Sequence, residues 1–151
     1  MCRAPQHKHA IGRFHLTLLR HATSTDLKVV RSWITTARDC ELWAGWRVRF
    51  PIELESLQAA ISFTETNTFS LVDGDHLIAF GQLVQKDTNR GHLARLIVAP
   101  SFRGKGYGEA LVRALLEEAR AASYGPVSLN VDRSNLAAIA LYSKLGFRDV
   151  M

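Results

Sequence analysis

Two cysteines, four prolines and two methionines are all that these 151 residues contain of those types, and no wholly apolar run is longer than a few residues. Cys2 and Cys40 have no metal-binding or disulfide spacing, so a disulfide scaffold and a zinc module drop out and reduced thiols are expected. A membrane-crossing helix needs about 20 apolar residues in succession, and the opening stretch MCRAPQHKHAIGRFH lacks the apolar core of a signal peptide. A cytoplasmic protein without membrane contact is expected. Internal repeats, low-complexity tracts and linkers are also missing, so residues 1–151 read as a single domain with residues 1–13 as a mobile tail. The HKH triplet, residues 7–9, reads as part of that solvated tail, and no metal site is expected.

Hydrophobic residues make up 47% and charged residues 22% of the chain, enough apolar material for one packed core. Nineteen lysines and arginines against fourteen acids give a net charge of +5, which favours anionic ligands in general. The cations are scattered and form no stripe interleaved with aromatics, so a nucleic acid is not the expected partner.

The order of elements is mixed. FHLTLLR (Phe14 to Arg20) alternates as a strand, and TSTDLKVVRSWI carries hydroxyl caps, Asp26 in its first turn, and Leu27, Val30, Trp33 and Ile34 at helical spacing. Short helices are expected around Ala37 to Trp43 and Ile52 to Ile61. Asp73-Gly74 stands between two β-rich runs as a hairpin signal, and KDTNRG turns the chain into a further strand, HLARLIVAP. Leu111, Val112, Leu115, Leu116 and Ala119 then line one side of a longer helix. YGPVSLNV reads as turn and strand, LAAIALYSKL as a helix closed by Gly146, and FRDVM as the start of one more strand. The expected class is α/β, of the α+β kind: a mixed, mostly antiparallel central sheet flanked by helices.

At the mouth of the long helix, RGKGYGEALVRALLEEAR packs three glycines, Arg103 and Lys105 into six positions. Glycines let a backbone turn tightly and approach a ligand, while the first amides of a helix point outward unpaired. Such a junction suits a phosphate, and the two cations suit a pyrophosphate better than a lone carboxylate. Two nucleotide loops can be set aside. Gly106 is followed by Tyr107-Gly108 where a P-loop needs Lys-Ser/Thr, and Glu109 stands where the dinucleotide fingerprint needs its third glycine.

LIVAPSFRGKGYGEALVRALL resembles the acyl-CoA-binding motif of the GNAT superfamily of N-acetyltransferases: Arg or Gln, two residues, Gly, one residue, then Gly or Ala, here Arg103, Gly106 and Gly108. Downstream, NVDRSNLAAIALYSKLGF resembles the second family motif through Asn135, Tyr142, Gly146 and Phe147. The resemblance covers residues 93 to 150 closely, and the N-terminal half only in its order of elements. It implies an enzyme that transfers an acetyl group from acetyl-CoA directly to a primary amine on a small molecule or peptide. Amides of the loop Arg103, Gly104, Lys105, Gly106, Tyr107 and Gly108 would hold the pyrophosphate. The pantetheine arm would lie along the strand ending in Ile97 and Val98, where a strand amide polarises the thioester carbonyl.

The same resemblance offers Tyr142 as the acid that protonates the departing thiolate, its other reading being a core aromatic with a satisfied hydroxyl. Asn135 would contact the pantetheine or phosphate end, a role compatible with capping the helix it precedes. Several family members carry a glutamate base on the strand before the loop; this chain has His92 there, with a chain of waters as the rival base. Glu41 and Glu53 are weaker candidates. The segment CELWAGWRVRFP falls where the family builds its acceptor wall, making Trp43, Trp46, Arg47, Arg49 and, from the strand, Arg95 candidates for acceptor contact. Arg95 alternates with Leu93 and Ile97, so it either meets a carboxylate or projects to solvent. Cys40 has no basic partner that would make it an acyl relay. Family members commonly end in two strands after the second motif, so a homodimer joined near the C-terminus is expected. The missing glutamate keeps open a second function, a CoA-binding sensor without catalysis.

Overall fold

The computed structural model describes residues 17–149. Strands β1 (Leu18–His21), β2 (Thr68–Asp73), β3 (His76–Asp87), β4 (Arg90–Val98) and β5 (Val127–Leu129) form one sheet in the order β1-β2-β3-β4-β5. The first four are antiparallel in succession, and β5 joins parallel to β4. The hairpin expected at Asp73-Gly74 is there. Asp73 pairs with His76, and Gly74 takes a φ of +59°, which a two-residue hairpin turn requires.

The helices are α1 (Ser24–Ser32), α2 (Ala37–Ala44), α3 (Leu54–Ala60), α4 (Tyr107–Ala121) and α5 (Leu136–Lys144), with a 3-10 turn at Gly45–Arg47. Local chemistry fixes where α1 begins. The Thr23 hydroxyl accepts from the Asp26 amide at 3.2 Å, and the Asp26 carboxylate accepts from the Thr23 amide at 3.0 Å, a reciprocal capping box. The same carboxylate takes Arg20 of β1 at 2.6 Å and the Ser70 hydroxyl of β2 at 2.9 Å, so the cap also fastens the helix to the sheet.

Each face of the sheet has its own core. Leu93 of β4 and Val127 of β5 pack with Leu111, Leu115 and Leu116 of α4 on one side. Phe80 of β3 packs with Leu27 and Val30 of α1, Trp43 of α2 and Leu57 of α3 on the other. The long helix read from the leucine spacing is therefore amphipathic as expected, and the N-terminal helices cover the opposite face.

Three boundaries differ from the sequence reading. The first strand starts at Leu18, while Phe14 to Leu16 lie outside the described residues, as do Cys2 and the HKH triplet. α3 is shorter than Ile52 to Ile61, because Glu53 is the extended N-cap residue and Ile61 already leaves the helical region. Phe147 to Asp149 form no strand, and Val150 and Met151 lie outside the described residues. No helix among the described residues is long and apolar enough to cross a membrane.

Candidate active site

One irregularity in β4 shapes the site. Gln82 pairs with Ala94 but Phe80 pairs with Ile97, so β4 carries one residue more than β3 across this stretch, and Arg95 takes a φ of +51°. Such a bulge re-aims side chains and ends regular pairing. It is held from both sides. The indole Nε1 of Trp43 donates to the Arg95 carbonyl at 3.0 Å, and the Arg95 guanidinium Nε donates to the side-chain carbonyl of the fully buried Gln82. Gln82 in turn donates to the Ile61 carbonyl and the Thr68 hydroxyl, each at 3.0 Å.

Beyond the bulge β4 and β5 part. They pair only from Gly91 to Leu93 with Val127 to Leu129, so on the β5 side the β4 edge from Ala94 to Val98 has no strand beside it among the described residues. A cavity of about 70 Å³ opens there, bounded by Ala94, Arg95 and Leu96 of β4, Asn130 and Asp132 after β5, Asn135 and Tyr142 of the α5 segment, and Trp43. An open strand edge of this kind presents main-chain groups on which an extended ligand can add as a further strand.

At the far end of β4 the glycine loop enters α4. Gly104 and Gly106 have φ of +75° and +90°, and Gly106 is the N-cap residue of α4 without a side-chain cap. The loop thus delivers the N-terminal end of a 15-residue helix, where the helix dipole and backbone amides favour a phosphate group, next to the end of β4. Arg103 Nε donates to the Val98 carbonyl at 2.9 Å, tying the loop to the end of β4. Lys105 Nζ lies 5.9 Å over the Phe102 ring, and Phe102 meets Tyr107 edge-on at 5.6 Å. A Cβ added at Gly108 would come within 3.4 Å of Leu141, so this glycine sits where α4 passes close to α5. Glu109, the residue that breaks the dinucleotide fingerprint, is bonded to Lys144 at 2.8 Å and Arg113 at 2.9 Å. The Lys144 and Arg113 hydrogen bonds hold its carboxyl below the usual range, and its charge is met on the spot.

Tyr142 packs its ring edge-on against Phe147 at 5.9 Å. Its hydroxyl has no hydrogen-bond partner among the described residues, and burial pushes its pKa up, so it remains protonated through the neutral range. Asn135 caps α5 by accepting from the Ala138 amide at 3.3 Å and also bounds the cavity. His92 is half-buried. Its Nδ1 lies 2.8 Å from the Ser128 hydroxyl, and burial, then the charges of Lys86, Arg95 and Arg90, lower its pKa. It stands just before the cavity-lining pair Leu93 and Ala94 and does not itself bound the cavity. Ile97 packs toward the α1–α3 core and Val98 toward α4.

The acceptor candidates divide. Trp43 is buried, bounds the cavity and supports the bulge, whereas Trp46 is 87% exposed on the 3-10 turn with the Arg47 guanidinium 5.3 Å over its ring, away from the cavity lining. Arg95 neither projects freely to solvent nor shares a face with Leu93, because the bulge turns it inward. Cys40 is buried, and its thiol points at the Val48 carbonyl at 3.5 Å with its pKa raised by burial. Sequence reasoning missed Gln82, and it missed Arg38, which reaches Ser134 at 2.6 Å and Asp132 at 3.4 Å and so joins α2 to the loop after β5.

Compared with known proteins, residues 31–147 match the Acetyltransferase (GNAT) family. The chain belongs to this family. A mycothiol acetyltransferase from Corynebacterium efficiens is 31% identical over 133 residues, 85% of this chain and 44% of that protein. The chain spans less than half the length of the first curated relatives it matches. Among solved GNAT structures, the ribosomal-protein-S18-alanine N-acetyltransferase from Escherichia coli superposes with a TM-score of 0.68 at 26% identity, over 89% of this chain and 79% of that one. The spermidine N-acetyltransferase from Vibrio cholerae, solved with CoA and spermine, gives 0.74 at 20% identity over 90% and 83%, a likeness of fold. The mixed, mostly antiparallel sheet expected from the sequence is thus the GNAT fold.

Proposed function

We propose that this chain is an N-acetyltransferase that takes acetyl-CoA as co-substrate and transfers the acetyl group directly to a primary amine. The observation that carries the proposal is the succession of two features: the β5-side edge of β4 from Ala94 to Val98, which no strand among the described residues takes, and after it the Arg103–Gly108 glycine loop that opens the N-terminus of α4. One takes an extended arm and the other a pyrophosphate. Bound there, acetyl-CoA would supply an activated thioester.

Each residue then has a task. The amides of Gly104 to Gly108 hold the phosphates, with the charges of Arg103 and Lys105 nearby. The β4 backbone at Ile97 and Val98 orients the arm, Asn135 meets it across the cleft, and a strand amide polarises the carbonyl placed against it. Tyr142 offers a protonated, unpartnered hydroxyl to a departing thiolate. His92, kept neutral by its surroundings, is suited to taking a proton from an ammonium, directly or through water. The Trp43 side and Arg95 face the acceptor. Fixing both reactants side by side contributes up to about 7–11 kcal/mol of barrier reduction in favourable cases.

The test is thermal unfolding with acetyl-CoA, NADH and ATP in parallel, followed by thiol release against an amine panel. A ligand at 100 times its Kd adds about 2.7 kcal/mol of stability. Stabilisation by acetyl-CoA alone with amine-dependent thiol release is the expected result. Stabilisation without turnover would leave a CoA-binding sensor, and no response would remove the loop assignment.

A further inference from the structure

Two charged side chains bound the cavity beside Tyr142, and they carry opposite signs: Arg95 on β4 and Asp132 in the loop after β5. The Arg95 guanidinium is turned to neutral oxygens, donating to the Gln82 side chain and, at 3.4 Å, to the Ile61 carbonyl. Asp132 is held differently. Its Oδ1 accepts from the Ser134 amide at 2.9 Å, the Ser134 hydroxyl at 2.6 Å and Arg38 Nη2 at 3.4 Å, while its carbonyl accepts from the Asn135 amide at 2.9 Å. This is the local turn that an aspartate makes with the backbone two residues on, and it fixes the carboxylate before any ligand arrives. All of the side-chain contacts use Oδ1. No donor among the described residues takes Oδ2, although an ionised carboxylate accepts at both oxygens. The Ser134 hydrogen bonds, then the charge of Arg38, hold the Asp132 carboxyl below the usual range, so it stays an anion through the neutral range and is a poor proton acceptor. Arg38 makes its contact from α2, one turn before Leu42, which bounds the same cavity. Its other nitrogen is paired with Glu41, an acid outside the cavity lining. With a charge of +5 on the chain and Arg95 in its wall, the cavity would repel a cation if Asp132 were neutral.

We infer that Asp132 captures the acceptor as its ammonium ion, through the carboxylate oxygen that the protein leaves open, and that the proton departs only after capture. The inference rests on the acetyl-transfer reading and deepens it: it names the acceptor-binding residue and the charge state in which the amine enters. Arg38 is then a positioning residue. It steadies the carboxylate and also competes with the incoming cation for its charge, so acceptor binding weakens the 3.4 Å contact. The proton goes to water, directly or on the way to His92, because the hydrogen bonds to Asp132 keep that carboxylate ionised.

The test compares ethylamine with 2,2,2-trifluoroethylamine, two primary amines of similar length; the fluorines withdraw electrons, so the second stays uncharged at neutral pH. Binding is followed by calorimetry with and without CoA, which has no acetyl group to transfer, so the result does not depend on turnover. Ethylamine is expected to bind about threefold or more tightly, the range of a half-exposed charge contact, with an affinity that falls as salt is added. Asp132→Asn keeps an oxygen for Ser134 and removes the charge. It should bring the two amines to parity, abolish the salt dependence and leave the Kd for CoA within about twofold. Arg38→Ala should tighten ethylamine binding, the opposite of what a purely structural latch would give. Asp75→Asn, which removes one exposed acid from the β2–β3 hairpin, should leave the preference intact. Equal binding of the two amines, tighter binding of the uncharged one, no binding of either up to about 50 mM, or an undiminished preference in Asp132→Asn would overturn the inference. If Asp132→Asn does not fold, the wild-type salt dependence and Arg38→Ala still decide. Failure of CoA to bind would instead strike the acetyl-transfer reading, and the titration without CoA remains readable.

Discussion

Replacing Tyr142 with phenylalanine separates a catalytic hydroxyl from a packing ring. The ring meets Phe147 edge-on at 5.9 Å, and that contact survives the change. The hydroxyl has no hydrogen-bond partner among the described residues, so its removal leaves no partner unsatisfied, and stability should change by less than about 0.5 kcal/mol. If the hydroxyl protonates the departing thiolate, its loss should lower kcat on the order of 10²-fold, about 2.7 kcal/mol of barrier, while the KM for acetyl-CoA moves much less. The assay is initial-rate thiol release at saturating acetyl-CoA, beside a denaturant unfolding curve on the same preparation. Burial raises the tyrosine pKa, so the wild-type rate should show no loss from Tyr142 ionisation on the alkaline side of neutrality. A kcat within twofold of wild type, or a variant that loses several kcal/mol of stability, would return Tyr142 to the core and leave the leaving group to solvent.

Gly106→Glu forces a side chain into a φ of +90°, at a cost of about 1–2 kcal/mol, and places an acid at the mouth of α4. Acetyl-CoA affinity by calorimetry should fall by about 100-fold or more with the circular dichroism spectrum retained, and an unchanged Kd would refute the phosphate placement. His92 has a native pKa below its unfolded value of about 6.5, so the native state favours the neutral ring. Its contribution to stability is present in full above that value and is lost as pH falls through the lower native pKa. His92→Gln should flatten this part of the pH dependence of urea midpoints, and an identical profile would contradict the assignment. Burial pushes the Asp26 carboxyl up, but hydrogen bonds from Arg20, the Thr23 amide and Ser70 outweigh it and hold the pKa below the usual carboxylate range. Its stabilisation is therefore complete above about pH 3.9 and is lost as pH falls through the native value. Asp26→Asn should cost about 1–3 kcal/mol at neutral pH and remove that acid limb, as read by denaturant melts across pH.

What the sequence disclosed was whatever a few neighbouring residues decide. The Thr23 cap with Asp26 three positions on, the Asp73-Gly74 hairpin, the leucine face of α4 and the glycine loop at its start all act within one or two turns of chain, so their spacing carries the signal. The site's acceptor side obeys no such rule. Period-two alternation puts Leu93, Arg95 and Ile97 on one face of β4, yet Leu93 packs toward α4 and Ile97 toward α1–α3. One extra residue in the strand reverses the alternation at Arg95, and nothing in HLARLIVAP announces it. Its cause is distributed: Trp43 takes the displaced carbonyl from 52 positions away, Gln82 takes the guanidinium from 13, and Arg38 reaches Asp132 across 94. Gln82 looks in the sequence like any polar residue in a strand, and only the closed fold shows it fully buried with both ends of its amide engaged. The separation has a functional sense. The part proposed to hold acetyl-CoA uses backbone amides and glycines, whose demands are local and so leave a motif, whereas the part proposed to choose the acceptor is assembled from α2, β3, β4 and the loop after β5. A change at Gln82 or Trp43 should therefore alter which amine is accepted while leaving the glycine loop and its phosphate contacts as they are, because the bulge they hold lies on the acceptor side of β4.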